Sequence, residues 1–135
     1  MIPRWMFPSR VQILRTRSDL VDGVLTVTFE PVLGLAAAEL VDGVEVVPMR
    51  LEVGFYRPGK DAPLPVQAGR APDRVAVYWC FPETDVRPGD QLRMVSGPVI
   101  GSWHVRTYPD RAIDMNKLHH LEGQCVEMIG QRGDA

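Results

Sequence analysis

An all-β fold, a small antiparallel barrel or sandwich with a long inserted loop and at most one short helix, is predicted by three features of this chain. Apolar residues alternate with polar ones over short runs. Twelve prolines and twelve glycines are spread along all 135 residues, which limits helix length and favours strands joined by turns. The length fits one domain around one core.

Taken in order, residues 1–9 form an N-terminal arm. Trp5, Met6 and Phe7 stand between Pro3 and Pro8, and no useful helix fits there. The arm either caps its own barrel or docks on a neighbouring subunit. The barrel domain then covers residues 10–130. Arg10–Arg15 alternates with Val11 and Ile13 on one face, a half-buried strand. Val24–Phe29 is rich in β-branched residues and forms the next strand. Asp22-Gly23 between them is a tight-turn signal, because both positions accept positive φ. Leu20-Val-Asp-Gly-Val24 recurs as Leu40-Val-Asp-Gly-Val44, and we read two similar hairpin turns rather than a duplication. Leu35–Leu40, with three consecutive alanines, has room for one helical turn. Val44–Val53 forms a strand in which Pro48 marks a bulge or an edge.

Residues 54–73 form an extended loop with four prolines, three glycines and the basic residues Arg57, Lys60 and Arg70. Loops this long are uncommon in a compact domain and are often functional. Arg74–Phe81 is the clearest strand. Val75, Val77, Trp79 and Phe81 share one face, and Ala76, Tyr78 and Cys80 share the other. Neither face is polar, so the strand is covered on both sides, and a neighbouring subunit is one candidate for the second cover. The turn-rich Pro82–Asp90 leads into Gln91–Val95, a turn at Gly97-Pro98, and a strand Ser102–Tyr108. Pro109–Asn116 reads as irregular. His119–Ile129 is the last strand, with Gly123 marking a bulge, and residues 131–135 are a frayed tail.

Net charge is −2 and the isoelectric point about 5.9, which argues against gripping nucleic acid over a broad surface. No apolar run approaches the roughly 18–20 residues that span a bilayer. The N-terminus lacks a continuous apolar segment, so we expect no signal peptide and a cytoplasmic protein. Two cysteines, Cys80 and Cys125, make no disulfide framework and read as reduced, buried, small apolar side chains.

Chemistry is sparse. Adjacent strand residues point to opposite faces, so His119 and His120 are not expected to share a metal. No Cys-x-x-Cys pair, phosphate-binding glycine loop or nucleophile elbow occurs. The aspartates sit mostly at turns, where they bond local backbone. We therefore assign no catalytic residue, no metal and no cofactor. Tyr78, Trp79 and Trp103 with Arg74 and Arg106 imitate a stacking platform for single-stranded nucleic acid, yet serve equally as barrel core.

Four segments carry a resemblance. They are Arg74-Val-Ala-Val-Tyr-Trp79, then Asp85-Val-Arg-Pro-Gly-Asp90, then Gly97-Pro-Val-Ile-Gly-Ser-Trp-His-Val105, and His119-His-Leu-Glu-Gly-Gln-Cys-Val-Glu-Met128. In this order and spacing the chain resembles the head-closure, or head-to-tail stopper, proteins of tailed bacteriophages. The resemblance implies a small β-barrel assembled as a homo-oligomeric ring in the virion neck and built in the host cytoplasm. Its partners would be a portal or adaptor above, a tail terminator or tail-tube protein below, and packaged double-stranded DNA in the lumen, contacted without sequence specificity. It implies no catalysis and no membrane. The loop 54–73 would face the channel, with Arg57, Lys60 and Arg70 toward phosphates or acidic neighbours. Trp5, Met6, Phe7, Tyr78, Trp79, Trp103, His119 and His120 are the candidate subunit contacts. A tail terminator or minor tail protein, and an OB-like nucleic-acid-binding module, are the competing readings.

Overall fold

A computed structural model describes residues 4–54, 74–114 and 117–128. Nine strands occur in it: β1 Ser9–Val21, β2 Val24–Pro31, β3 Glu39–Val41, β4 Val44–Val53, β5 Val75–Cys80, β6 Gln91–Ser96, β7 Ser102–Val105, β8 Asp110–Asp114 and β9 Lys117–Glu127. A single 3₁₀ turn, Arg4–Met6, precedes them. No α-helix is found among the described residues.

All pairings are antiparallel, and six strands close on themselves in the order β1-β6-β7-β9-β5-β4. Pairing of Ser9–Val11 with Val47–Met49 seals the barrel. Closure removes the exposed hydrogen-bonding edges that an open sheet of this size would leave. Alternate residues fill the interior: Val11 and Ile13, Val47, Met49 and Leu51, Ala76, Tyr78 and Cys80, Leu92, Trp103 and Val105, Leu121 and Cys125.

The three remaining strands hang on the barrel as hairpins. β2 pairs with the outer half of β1, β3 with the start of β4, and β8 with the start of β9. Following the antiparallel registers round the barrel puts these hairpins at one pole. Gly54 and Arg74, which bracket the β4–β5 connection, lie at the other pole with the β6–β7 turn. There Gly54 donates its N–H to the Val75 carbonyl at 2.6 Å.

The two Asp-Gly turns form as expected. Val21 pairs Val24 and Val41 pairs Val44. Asp22 and Asp42 both have φ 50°, with Gly23 at 77° and Gly43 at 80°, the conformation whose twist matches two antiparallel strands. The two-sided apolar character of β5 also holds, since all its residues except the half-exposed Trp79 are buried. Its outer cover comes from the same chain. Phe7 and Ala37 pack with Phe81 and Trp79, and the Phe7 and Phe81 rings meet edge to face at 4.8 Å.

Four local expectations are corrected and one is narrowed. Leu35–Ala38 is a β-turn closed by the Ala38 N–H on the Leu35 carbonyl, and strand β3 follows it where the alanines left room for a helical turn. Pro48 makes no bulge and pairs in unbroken register with Arg10, but on its other side it falls between the β3 pairing, which ends at Val46, and the β5 pairing, which begins at Met49, so the edge expectation holds there. Asp110–Asp114 is a strand rather than irregular, because β9 begins at Lys117 and offers it an edge. The strand expected to run to Tyr108 stops at Val105. Gly123 makes no bulge: the β5–β9 register is continuous through it. It is glycine because the Tyr78 ring lies across its α-carbon, and an added Cβ would stand 2.6 Å from the Tyr78 hydroxyl.

Candidate functional site

The Asp85–Asp90 motif, read from the sequence as a generic turn, builds the base of the barrel. Arg87-Pro88-Gly89-Asp90 turns back on itself, with the Asp90 N–H bonded to the Arg87 carbonyl at 3.0 Å. The Asp90 carboxylate is buried and accepts from Arg15 Nε at 3.0 Å, from Arg15 Nη2 at 2.9 Å and from the Arg87 backbone N–H at 2.9 Å. This is a bidentate charge-assisted pair joined by a third hydrogen bond from the Arg87 backbone. Arg15 is the residue at which β1 leaves the barrel, so the pair fixes the root of the β1–β2 hairpin. Beside it, hydrogen bonds from the Arg87 guanidinium hold the Asp85 carboxyl below the usual carboxylate range. The group is structural: every polar atom quoted is spent on another part of the chain.

The concave feature lies on the outer wall. Met6, Phe7, Arg50, Glu52, Trp79, His119 and His120 line an apolar groove of about 340 Å³. Arg50 and Glu52 stand on β4, Trp79 on β5 and the histidines on β9. Arg50 and Trp79 are register partners, so the guanidinium lies over the indole, 5.9 Å from its centre, while Arg50 Nη2 donates to Glu52 at 2.8 Å. Phe7 reaches the wall because the chain before β1 folds back. Its carbonyl accepts Arg10 Nη1 at 2.7 Å, and Arg10 Nε bonds Glu39 at 3.2 Å.

The histidines depart from simple strand alternation. The β8–β9 register pairs Ala112 with His120 but Ile113 with Leu118, so His119 is an extra residue in β9. A bulge of this kind re-aims a side chain. His119 and His120 therefore face the same groove, with their Nδ1 atoms 3.0 Å apart and rings edge to face. One ring must accept the proton that the other donates. Desolvation holds the His120 imidazolium below the ordinary histidine range, and nearby His119 acts the same way against the opposing pull of Glu122. No cluster of three or more metal-ligating side chains occurs among the described residues.

Of the eight residues expected at subunit contacts, Met6, Phe7, Trp79, His119 and His120 thus converge. Trp5 is exposed on the 3₁₀ turn. Tyr78 and Trp103 are corrected: both point into the barrel and are fully buried, since even-numbered β5 residues and odd-numbered β7 residues face inward. Arg57, Lys60 and Arg70 lie outside the described residues. The stacking platform does not assemble either. With Tyr78 and Trp103 buried, Arg74 is tied to Glu127 and Arg106 Nη1 donates to Gln124 at 3.3 Å.

Both thiols lie in the barrel core and are unbridged. Burial pushes the Cys80 thiol up to about 12 and raises that of Cys125 as well, the reverse of what a nucleophilic cysteine requires.

Sequence reasoning missed the convex feature. Every residue of β2 is exposed; its β-branched composition places the strand but not what covers it. The signal was present in the pairing partner: Thr16-Arg-Ser-Asp19 on β1 has nothing apolar to bury beneath it.

A comparison with protein-family models, with curated proteins and with solved structures finds no match to this chain.

Proposed function

We propose that this chain is a non-catalytic structural subunit of a homo-oligomeric ring in the neck of a tailed bacteriophage, closing the portal after DNA packaging and docking the tail. The observation that carries the reading is a closed barrel with a packed core whose groove around Trp79 and β1–β2 hairpin are apolar surfaces that no described residue covers. Exposed apolar surface on an otherwise self-sufficient domain marks contact with other proteins. The four segments that resemble head-closure proteins support the same role. Two of them form the Arg15-locked turn and the histidine-bearing start of β9. The β4–β5 connection leaves the barrel at the pole opposite the hairpins. That arrangement suits a subunit with one end toward a channel and the other toward a neighbouring ring. The adaptor or portal would lie on one side, a tail terminator or tail-tube protein on the other, and double-stranded DNA in the lumen.

Cryo-electron microscopy of purified tailed virions containing this chain, focused on the neck, tests the proposal. A ring of this barrel between the portal-proximal adaptor and the tail, with residues 54–73 toward the channel, is the expected result. Density further down the tail would reassign the chain as a tail terminator or minor tail protein. Absence from virions would end the structural reading.

A further inference from the structure

The start of β9 brings two imidazoles together by an irregularity of pairing. In a regular strand these neighbours would point to opposite faces, His120 outward with Glu122 and His119 inward with Leu121. The extra residue in β9, between its pairings with Ala112 and Ile113, breaks that alternation. The two Nδ1 atoms stand 3.0 Å apart and the ring planes meet at 77°. A straight strand keeps adjacent histidines from sharing a ligand; a bulged one does not.

The spacing matches the bite of two cis ligands on one metal ion. With metal–nitrogen bonds of about 2.0–2.1 Å, nitrogens 3.0 Å apart subtend about 94° at the ion. Square-planar and octahedral ions hold cis ligands about 90° apart. A tetrahedral ion asks for about 109°, which would need the nitrogens about 3.35 Å apart. The geometry therefore favours nickel(II) or copper(II) over zinc(II). Ligand type agrees, since imidazole suits both ions and copper(II) heads the divalent affinity order.

The surroundings suit a cation. Glu122 Oε1 lies 3.8 Å from His120 Nε2. A carboxylate there favours the tautomer that carries its proton on Nε2 and keeps the Nδ1 lone pair for a metal, an arrangement common to ligating histidines. In the metal-free chain that tautomer makes His120 Nδ1 the acceptor of the His119 Nδ1–H. Metal binding shifts the His119 proton to its own Nε2, because a neutral imidazole has two tautomers, and the ion takes the place of the shared proton. His119 is exposed and His120 half-buried, which gives the ion a path in and the outer ring room to turn its lone pair toward it. Arg50, the arginine of the groove, is engaged elsewhere: it donates to Glu52 and lies over Trp79.

We propose that His119 Nδ1 and His120 Nδ1 form a two-nitrogen site, on the wall of the Trp79 groove, for a divalent ion with right-angled ligand positions, nickel(II) or copper(II). No cluster of three protein ligands forms among the described residues, so water fills the remaining positions and exchanges there. The site does not depend on the ring reading.

Nickel titration of the untagged full-length chain tests it. The chain is stripped with a chelator and held at about pH 7.5 in a non-coordinating buffer, where imidazoles are neutral and able to ligate. Calorimetry then follows addition of nickel chloride and, separately, zinc chloride. One nickel ion per chain is expected, bound more tightly than zinc. His119→Ala abolishes saturation, as does His120→Ala, whereas His104→Ala on β7 leaves the isotherm unchanged. Because His119 is exposed, His119→Ala keeps the wild-type melting temperature and carries the test even where His120→Ala unfolds. Copper(II) electron paramagnetic resonance should show two imidazole nitrogens in the wild type and fewer in His119→Ala. Nickel binding that survives His119→Ala would assign the ion to another group, such as the α-amine, and overturn the site. Absence of saturable nickel binding would overturn it as well. Zinc held as tightly as nickel would overturn the right-angled geometry on which the choice of metal rests.

Discussion

Tyr78 lies over Gly123 on the adjacent strand, with its hydroxyl buried and without a hydrogen-bond partner among the described residues. Two expectations follow at this scale. Gly123→Ala forces a methyl into the Tyr78 ring and costs about 1–3 kcal/mol by overpacking, read as a fall in chemical-denaturation midpoint. Tyr78→Phe removes an unsatisfied hydroxyl, is neutral or slightly stabilising, and softens the cost of Gly123→Ala in the double variant. A third expectation belongs to His120. Its folded-state pKa lies below the unfolded value of about 6.5, so the unfolded chain takes up the proton first. The stability tied to neutral His120 is fully present above that value and is lost as pH falls through the window beneath it. Melting curves at a series of pH values should slope downward on acidification through that window. His120→Asn should flatten the slope, and an unchanged slope would assign it to other groups.

The β1–β2 hairpin is an element whose direction is set at its root. Arg15 is partly exposed, but its partner Asp90 is not: their side chains are 25 and 2% accessible. Arg15→Met strands a buried carboxylate and should cost about 3 kcal/mol, measured by urea unfolding at neutral pH. Adding Asp90→Asn in that background should recover part of the loss, because the uncompensated charge is gone. If the two substitutions were instead simply additive, the pair would not be the coupling that holds the hairpin against the Arg87–Asp90 turn. The same scale explains the histidines. The bulge is a property of how β8 and β9 pair, and it turns two neighbours that strand periodicity separates into one groove-lining pair.

For the whole molecule, net charge −2 over a barrel whose described arginines are largely paired predicts weak affinity for DNA. A ring subunit that lets DNA pass has no need of more. Fluorescence anisotropy with a double-stranded oligonucleotide at about 0.15 M salt should show no saturation at protein concentrations where non-specific binders, with Kd of about 10⁻⁴–10⁻⁶ M, begin to saturate. Saturable, salt-sensitive binding would favour the nucleic-acid-binding alternative.

How much of this could be read before the fold was known divides along one physical line. Local chemistry was legible in part: alternation and β-branched composition placed the long strands though not β3 or β8, Asp-Gly pairs placed both tight hairpins, and the apolar character of both faces of β5 announced a strand covered on each side. The groove was partly legible, because Met6, Phe7, Trp79, His119 and His120 are residue types suited to contacts. Barrel closure, however, depends on Ser9–Val11 meeting Val47–Met49, a pairing between segments far apart in the chain. That closure decides which aromatic residues turn inward. It sends Tyr78 and Trp103 to the core and leaves Trp79 on the wall, a distinction of one residue in register that composition does not carry. It also determines that β2 has no barrel wall beneath it. Alternation along a strand states that one face is apolar, but only the assembled sheet states whether anything covers that face.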